Sequence, residues 1–163
     1  MPTPTYDLIA SNVLGSSAAS VTFSSIPATY RDLIVVCTIT GSGGNGWFLL
    51  TFNSDTGSNY SRVNASGNGS TTASNTNTGT SIDIGYMGGF GTTNPCTTII
   101  QALDYSATNK HKTCLIRQDN ASQATEMAAG RWASTSAINS LTLTTAVQQF
   151  ASGSTFYLYG ISA

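Results

Sequence analysis

A polar turn between two predicted strands carries the residues that come closest to a metal-binding pattern. Asn53, Asp55 and Asn59 lie in one short stretch, and Tyr60 follows directly. Carboxylate and amide oxygens on a single loop are typical of calcium sites. The same residue types also close Asx turns on their own backbone, and we favour that interpretation. These four residues are therefore a candidate cation- or ligand-binding loop, while no metal and no cofactor is predicted.

Hydrolytic chemistry has little support in the sequence. His111 is the only histidine, and it stands between two lysines at the start of a predicted strand. A Ser-His-Asp triad would need it, but serines and aspartates are so frequent here that a match carries no information. The seven acidic residues are spread singly, without an identifiable glycosidase pair. We predict that the protein is not an enzyme.

Two further patterns have structural explanations. Cys37, Cys96 and Cys114 lack metal-ligand spacing. Cys37 and Cys114 lie in strand-like runs, and we expect them to be small buried core residues. A disulfide between Cys96 and one of the other two is an open alternative. The run 41–46 matches a GxGxxG pattern. A dinucleotide site needs a helix directly after that pattern, whereas the following residues, 47–53, read as a strand. The glycines therefore predict a hairpin loop.

The composition limits the classes of partner. Charged residues make up 8% of the 163, against about 25% in average domains. With six Lys plus Arg, a net charge of −1 and no basic cluster, nucleic acid is not an expected partner. No run approaches 18 apolar residues, so no membrane-spanning helix is predicted.

Period-two alternation predicts an all-β chain. In 156–161, Phe156 and Leu158 face one way and Tyr157 and Tyr159 the other, as in a half-buried strand. The run 32–40 is nearly all apolar, which indicates a central strand buried on both faces. About ten short strands without an amphipathic helix predict an antiparallel β-sandwich that resembles a jelly roll, with about 8–10 strands.

We expect one domain over residues 6–163, preceded by an extended N-terminal arm at residues 1–5. The arm and the first residue of the domain are a candidate contact with another subunit, and the residues concerned are Pro2, Thr3, Pro4, Thr5 and Tyr6. Residues 64–80 are almost entirely Asn, Gly, Ser, Thr and Ala, and they predict a long exposed loop.

The order of several motifs suggests a family. The motifs are YDLI at 6–9, VTFSSIP at 21–27, YRDL at 30–33, FNSDTGSNYS at 52–61, KT at 112–113, WASTSAI at 132–138 and GSTFYLYGI at 153–161. Taken together, they resemble small jelly-roll structural proteins of tailed bacteriophages, including cyanophages. Members of that group serve as capsid decoration (cement) proteins and as domains of tail fibres. The resemblance carries no catalytic residues.

The resemblance implies a virion structural protein on the capsid exterior that stabilises the assembled head by non-covalent contacts. Its expected partners are the major capsid protein and copies of itself, as a homotrimer. The alternative is a receptor- or carbohydrate-binding domain of a tail fibre or tail tip, with a host glycan as ligand. Loops rich in Asn, Ser and Gly with interleaved aromatic residues favour that alternative.

Overall fold

The structure is a computed structural model that describes residues 5–41, 46–86, 94–120 and 124–162. Within these residues the regular structure is entirely β. The strands are β1 (Tyr6–Val13), β2 (Ser20–Phe23), β3 (Asp32–Ile39), β4 (Trp47–Phe52), β5 (Tyr60–Gly67), β6 (Thr72–Gly79), β7 (Ile82–Tyr86), β8 (Cys96–Leu103), β9 (Lys112–Asn120), β10 (Ala124–Trp132), β11 (Leu141–Thr145) and β12 (Thr155–Ile161).

The strands form two antiparallel sheets with a jelly-roll order. The large sheet runs β1-β12-β3-β8-β9-β10-β5-β6 and the small sheet β2-β11-β4-β7. Apart from the strands inserted into the large sheet, the chain alternates between the two sheets as a jelly roll does. The prediction of a jelly-roll-like antiparallel sandwich is confirmed.

Two insertions lengthen the large sheet. β5 and β6 lie between β4 and β7 along the chain, and β9 and β10 lie between β8 and β11. β10 pairs with both β9 and β5, so the two insertions join into one four-stranded extension of the sheet. β7 of the small sheet packs against one face of this extension, so the opposite face of the extension stays open.

The core lies between the two sheets and is built from alternating apolar side chains. Val35 and Leu158 come from the large sheet, and Leu50 and Leu143 come from the small one. Phe150 closes one end of the core, with its ring centroid 5.6 Å from that of Phe48 and 5.0 Å from that of Phe156. Each such buried side chain contributes about 1.5–3 kcal/mol of transfer free energy.

The prediction of a long loop at 64–80 is wrong. These residues belong mainly to β5 and β6, which pair in regular register from Tyr60–Gly79 to Gly67–Thr72. The reason is local: Asn68 Oδ1 accepts hydrogen bonds from the amides of Ser70 and Thr71, which closes the turn between the strands. The expected exposure does hold for β6, all but one of whose residues are exposed.

The predictions for the apolar run at 32–40 and for the N-terminal arm can also be compared with the structure. β3 is buried along most of its length, as its apolar run predicted. Of the proposed arm, Pro2, Thr3 and Pro4 lie outside the described residues. Tyr6 opens β1, and Thr5 O accepts a hydrogen bond from Ser162 N at 3.3 Å.

Candidate interaction surface

The predicted polar loop folds as a tight turn directly after β4. Asn53 and Ser54 both have positive φ, 52° and 56°, and Asp55 N donates to Phe52 O at 2.9 Å. Two successive left-handed residues describe a type I′ turn, which Asn tolerates better than most residues. Asp55 thereby lies next to Asn59 and Tyr60, while the side chain of Asn53 bonds to the segment before β11.

Asp55 is held by three donors from its own surroundings. Oδ1 accepts from Gly57 N at 2.8 Å, and Oδ2 accepts from Asn59 Nδ2 at 2.9 Å and from Trp132 Nε1 at 2.7 Å. The Trp132 indole, followed by the Gly57 amide and the Asn59 amide, lowers the pKa of this carboxyl group below its usual value. Both carboxylate oxygens therefore already accept hydrogen bonds from the protein.

The other two members of the loop also bond to the protein. Asn53 Nδ2 donates to Ala137 O at 2.7 Å, and Asn53 Oδ1 accepts from Asn139 N at 2.9 Å. The buried Tyr60 hydroxyl accepts from Phe52 N at 3.0 Å. Its ring stacks on Trp132 with centroids 6.4 Å apart. An Asx-type turn that ties β4 to β10 accounts for every one of these contacts.

The remaining candidates for chemistry are dispersed. His111 is exposed, and the cysteines Cys37, Cys96 and Cys114 are buried and free of disulfides. Burial raises the pKa of Cys114 to about 12, so its thiol is inert near neutral pH. Among the described residues, no group of three or more His, Cys, Asp or Glu side chains could hold a metal ion.

The structure shows a surface that the sequence did not predict. The face of the large sheet that points away from the small sheet carries apolar side chains on four adjacent strands, β8, β9, β10 and β5, and this part of it is here called the outer face. These apolar side chains are Ile99 on β8, Leu115 on β9, Met127 and Ala129 on β10, and Val63 and Ala65 on β5. Neighbouring side chains form rows across the sheet, because Leu115 pairs with Ala129 and Ala129 pairs with Val63.

The outer face is open to solvent. Val63 is 57% exposed, Leu115 54% and Met127 61%. Together with Ile99 they line an open groove of about 720 Å³. A contiguous apolar patch of this kind on a soluble protein indicates an interaction surface, because isolated exposed apolar residues are common but clustered ones are not.

Charged side chains flank the apolar centre of the outer face, namely Arg117, Asp119 and Arg131. Arg117 lies in the row that joins Ile99 to Met127, and among the described residues it makes no salt bridge. At the β1–β12 end of the same sheet face, the rings of Tyr157 and Tyr159 stack 6.3 Å apart. Tyr6 meets Tyr159 edge-on at 6.4 Å. The outer face thus has an apolar centre, and the far end of the same sheet face is aromatic.

A buried ion cluster supports the extension from the opposite side of β5. Arg62 Nη1 contacts Glu126 Oε1 at 2.6 Å, and Arg62 Nη2 contacts Asp83 Oδ2 at 3.3 Å. Burial raises the pKa of Asp83 to about 6, against the opposing effect of the Arg62 guanidinium. The Arg62–Asp83 pair joins the large sheet to β7 of the small sheet. It fixes the extension to the sandwich.

Comparison with known proteins finds no family model that matches this chain and no curated protein with significant similarity to it. The part of the chain that the structure describes contains no helix long and apolar enough to cross a membrane.

Proposed function

We propose that this chain is a virion structural protein of a tailed bacteriophage, a capsid decoration protein that stabilises the assembled head by non-covalent contacts. The observation that carries the proposal is the outer face, an open sheet surface with an apolar centre on a jelly-roll sandwich. The order of the sequence motifs supports the same role. A decoration protein needs a broad contact surface and no chemistry.

The size of the outer face suits such a contact. Four strands spaced about 4.8 Å apart, each about 25 Å long, give a flat area of roughly 400–500 Å². The aromatic end of the sheet adds to this. A stable interface buries about 800 Å² on each partner. The eight-stranded sheet therefore supplies enough surface for a specific contact with the major capsid protein.

Within this proposal the protein lies on the capsid exterior. Capsid lattices present threefold and quasi-threefold axes, so a homotrimer is the assembly we propose. The N-terminal residues Pro2 to Tyr6 remain proposed contacts with the shell or with neighbouring subunits.

The test is the location of the chain on the intact virion by electron cryo-microscopy at side-chain resolution. The proposal expects density repeated over the capsid surface, with Leu115 and Met127 buried against the shell. A capsid whose outer density had no place for this chain would overturn it.

A second candidate is a receptor- or carbohydrate-binding domain of the phage tail. It is favoured by the aromatic end of the outer face, where Tyr6 is 54% exposed beside the stacked Tyr157 and Tyr159. Exposed aromatic rings can stack on sugar rings. Binding of host polysaccharide by the purified protein, lost in Tyr159→Ala, would favour this function. Density confined to the tail would do the same.

A further inference from the structure

The strand β6 is an unprotected edge of the large sheet. It runs for eight residues, and its neighbour in the sheet is β5 alone. Residues 72–78 are exposed on both faces of the strand. The backbone groups of β6 that point away from β5 therefore face solvent, where another strand can pair with them.

β6 lacks the features by which proteins normally block an edge. Its sequence, TASNTNTG, contains no charged residue and no proline, and its register with β5 has no bulge. The opposite edge of the same sheet differs. There β1 carries Asp7, and its register shifts between Leu8 and Ala10. Edge charges and bulges discourage pairing between chains, so β6 is the edge of this sheet that is open to it.

We propose that β6 pairs antiparallel with β6 of a second copy of this chain about a twofold axis. Such pairing leaves the outer faces of both copies on the same side of the joined sheet. Two residues that oppose each other across the contact must therefore have their side chains on the same face of that sheet. An axis at Asn75 meets this condition. It places Asn75 opposite its own copy, Ser74 opposite Thr76, and Thr72 opposite Thr78.

These pairs favour self-association. Thr–Thr and Ser–Thr neighbours on adjacent strands can exchange hydrogen bonds, and the strand has no like charges to repel each other. A twofold contact uses the same strand from both partners and therefore closes at two copies instead of growing into a fibre. It also places the two outer faces on the same side of a 16-stranded sheet, twice the eight strands of one copy, with the two polar β6 strands between them.

The contact is expected to be weak in solution, because one pair of edge strands buries less than a standard interface of about 1,600 Å². On a surface that holds many copies, the high local concentration would populate it. Within a decorated capsid, this twofold contact would link neighbouring trimers. The proposal concerns the isolated chain, so it can fail while the capsid function holds, and the reverse is also true.

Site-directed cross-linking tests the register. Directly opposed residues of an antiparallel pair have Cα atoms about 4.5–5.5 Å apart, within the range that a disulfide spans. The native cysteines are buried, so in Asn75→Cys the new thiol is the reactive one. Under mild oxidation we expect a covalent dimer from Asn75→Cys. The matched control Ser11→Cys, on the other edge strand, should stay unlinked under the same conditions.

A second variant tests the contact without oxidation. Asn75→Lys places two ammonium groups opposite each other, and it should shift the protein from dimer to monomer in sedimentation velocity at high concentration. Ser11→Lys should leave the dimer unchanged. Equal cross-linking of Asn75→Cys and Ser11→Cys would overturn the proposal. So would a wild-type chain that stays monomeric at about 1 mM, or self-association that Asn75→Lys does not weaken.

Discussion

The ring of Tyr30 lies against the backbone of Gly160. A Cβ atom built on Gly160 would stand 2.2 Å from Cγ of the Tyr30 ring and 2.3 Å from Cδ2. No side chain can occupy that space, so the identity of residue 160 is set by packing. The contact joins the segment before β3 to the end of β12, two parts of the chain that are far apart in sequence.

Gly160→Ala should destabilise the fold. The added methyl group must displace the Tyr30 ring or the strand backbone, and overpacking of this kind costs about 1–3 kcal/mol or more. Chemical denaturation should show the loss as a lower midpoint with an unchanged slope. Gly79→Ala is a matched control, because Gly79 is also a strand glycine and a Cβ there meets nothing within 4 Å. Equal loss in both variants would contradict the packing argument.

Trp132→Phe should loosen the turn at Asp55. The substitution removes the indole donor to Asp55 Oδ2 and part of the ring that stacks on Tyr60, and the lost ring volume alone costs about 1–2 kcal/mol. A double-mutant cycle with Asp55→Ala should show coupling, because each variant removes the same hydrogen bond. Additive losses would count against the bond.

The effect of acid on the Asp55–Trp132 hydrogen bond follows from the direction in which the pKa of Asp55 is shifted. The pKa of Asp55 is lowered in the folded state, so the stability that this group contributes is present above its unfolded pKa of 3.8 and is lost as pH falls through the lower folded value. Trp132→Phe removes the largest cause of the lowering. The variant should therefore lose less stability than wild type between pH 4 and pH 2.5, as measured by thermal unfolding.

Protonation of Asp83 should have the opposite effect on the stability of the fold. Its folded pKa of about 6 lies above the unfolded value of 3.8, so the folded state binds more protons in that interval and this group favours folding as pH falls from 7 to 4. After discounting for solvent screening, the effect is on the order of 1 kcal/mol.

Asp83→Asn isolates that effect. The difference in unfolding free energy between wild type and Asp83→Asn should shift in favour of wild type as pH falls from 7.5 to 4.5. Titrating groups outside the Arg62, Asp83 and Glu126 cluster are common to both proteins and cancel. A difference that does not change with pH would show that Asp83 has an ordinary pKa in the fold.

Leu115→Glu should separate binding from folding. Leu115 is 54% exposed on the outer face, so its replacement should change stability by less than about 0.5 kcal/mol. Under the proposed function, rebinding to capsids stripped of this protein should fall at least tenfold, because a carboxylate would be buried against the shell. Val147→Glu is the control, since Val147 is 77% exposed but lies outside the outer face. Unchanged rebinding of Leu115→Glu would remove the outer face from the proposal.

The sequence predicted strands correctly where one face of the strand is buried and the other is exposed to solvent. The alternation in β12 and the apolar run in β3 predicted those strands, because burial of one or both faces controls residue choice there. β6 escaped prediction because both of its faces are exposed, so its residues show no period. What makes it a strand is the turn at Asn68 and the ladder with β5, neither of which leaves an apolar pattern.

The same reasoning explains the mixed result at the candidate site. The Asn53–Tyr60 cluster was recognisable, since Asx residues and a tight turn leave a local signature. The outer face depends on which strands become neighbours. Leu115 and Val63 lie on strands that are not adjacent along the chain, and their rows meet only because β10 pairs with both β9 and β5.

The pairing of β1 with β12 and of β2 with β11 also governs when the protein can fold. β1 and β2 each have a single neighbouring strand, and those neighbours are among the last strands of the chain. During synthesis, more than a hundred further residues must therefore be added before β1 and β2 can pair with their neighbouring strands. Contacts so distant in sequence make folding slow, and they place the decisive step after residue 161 has left the ribosome.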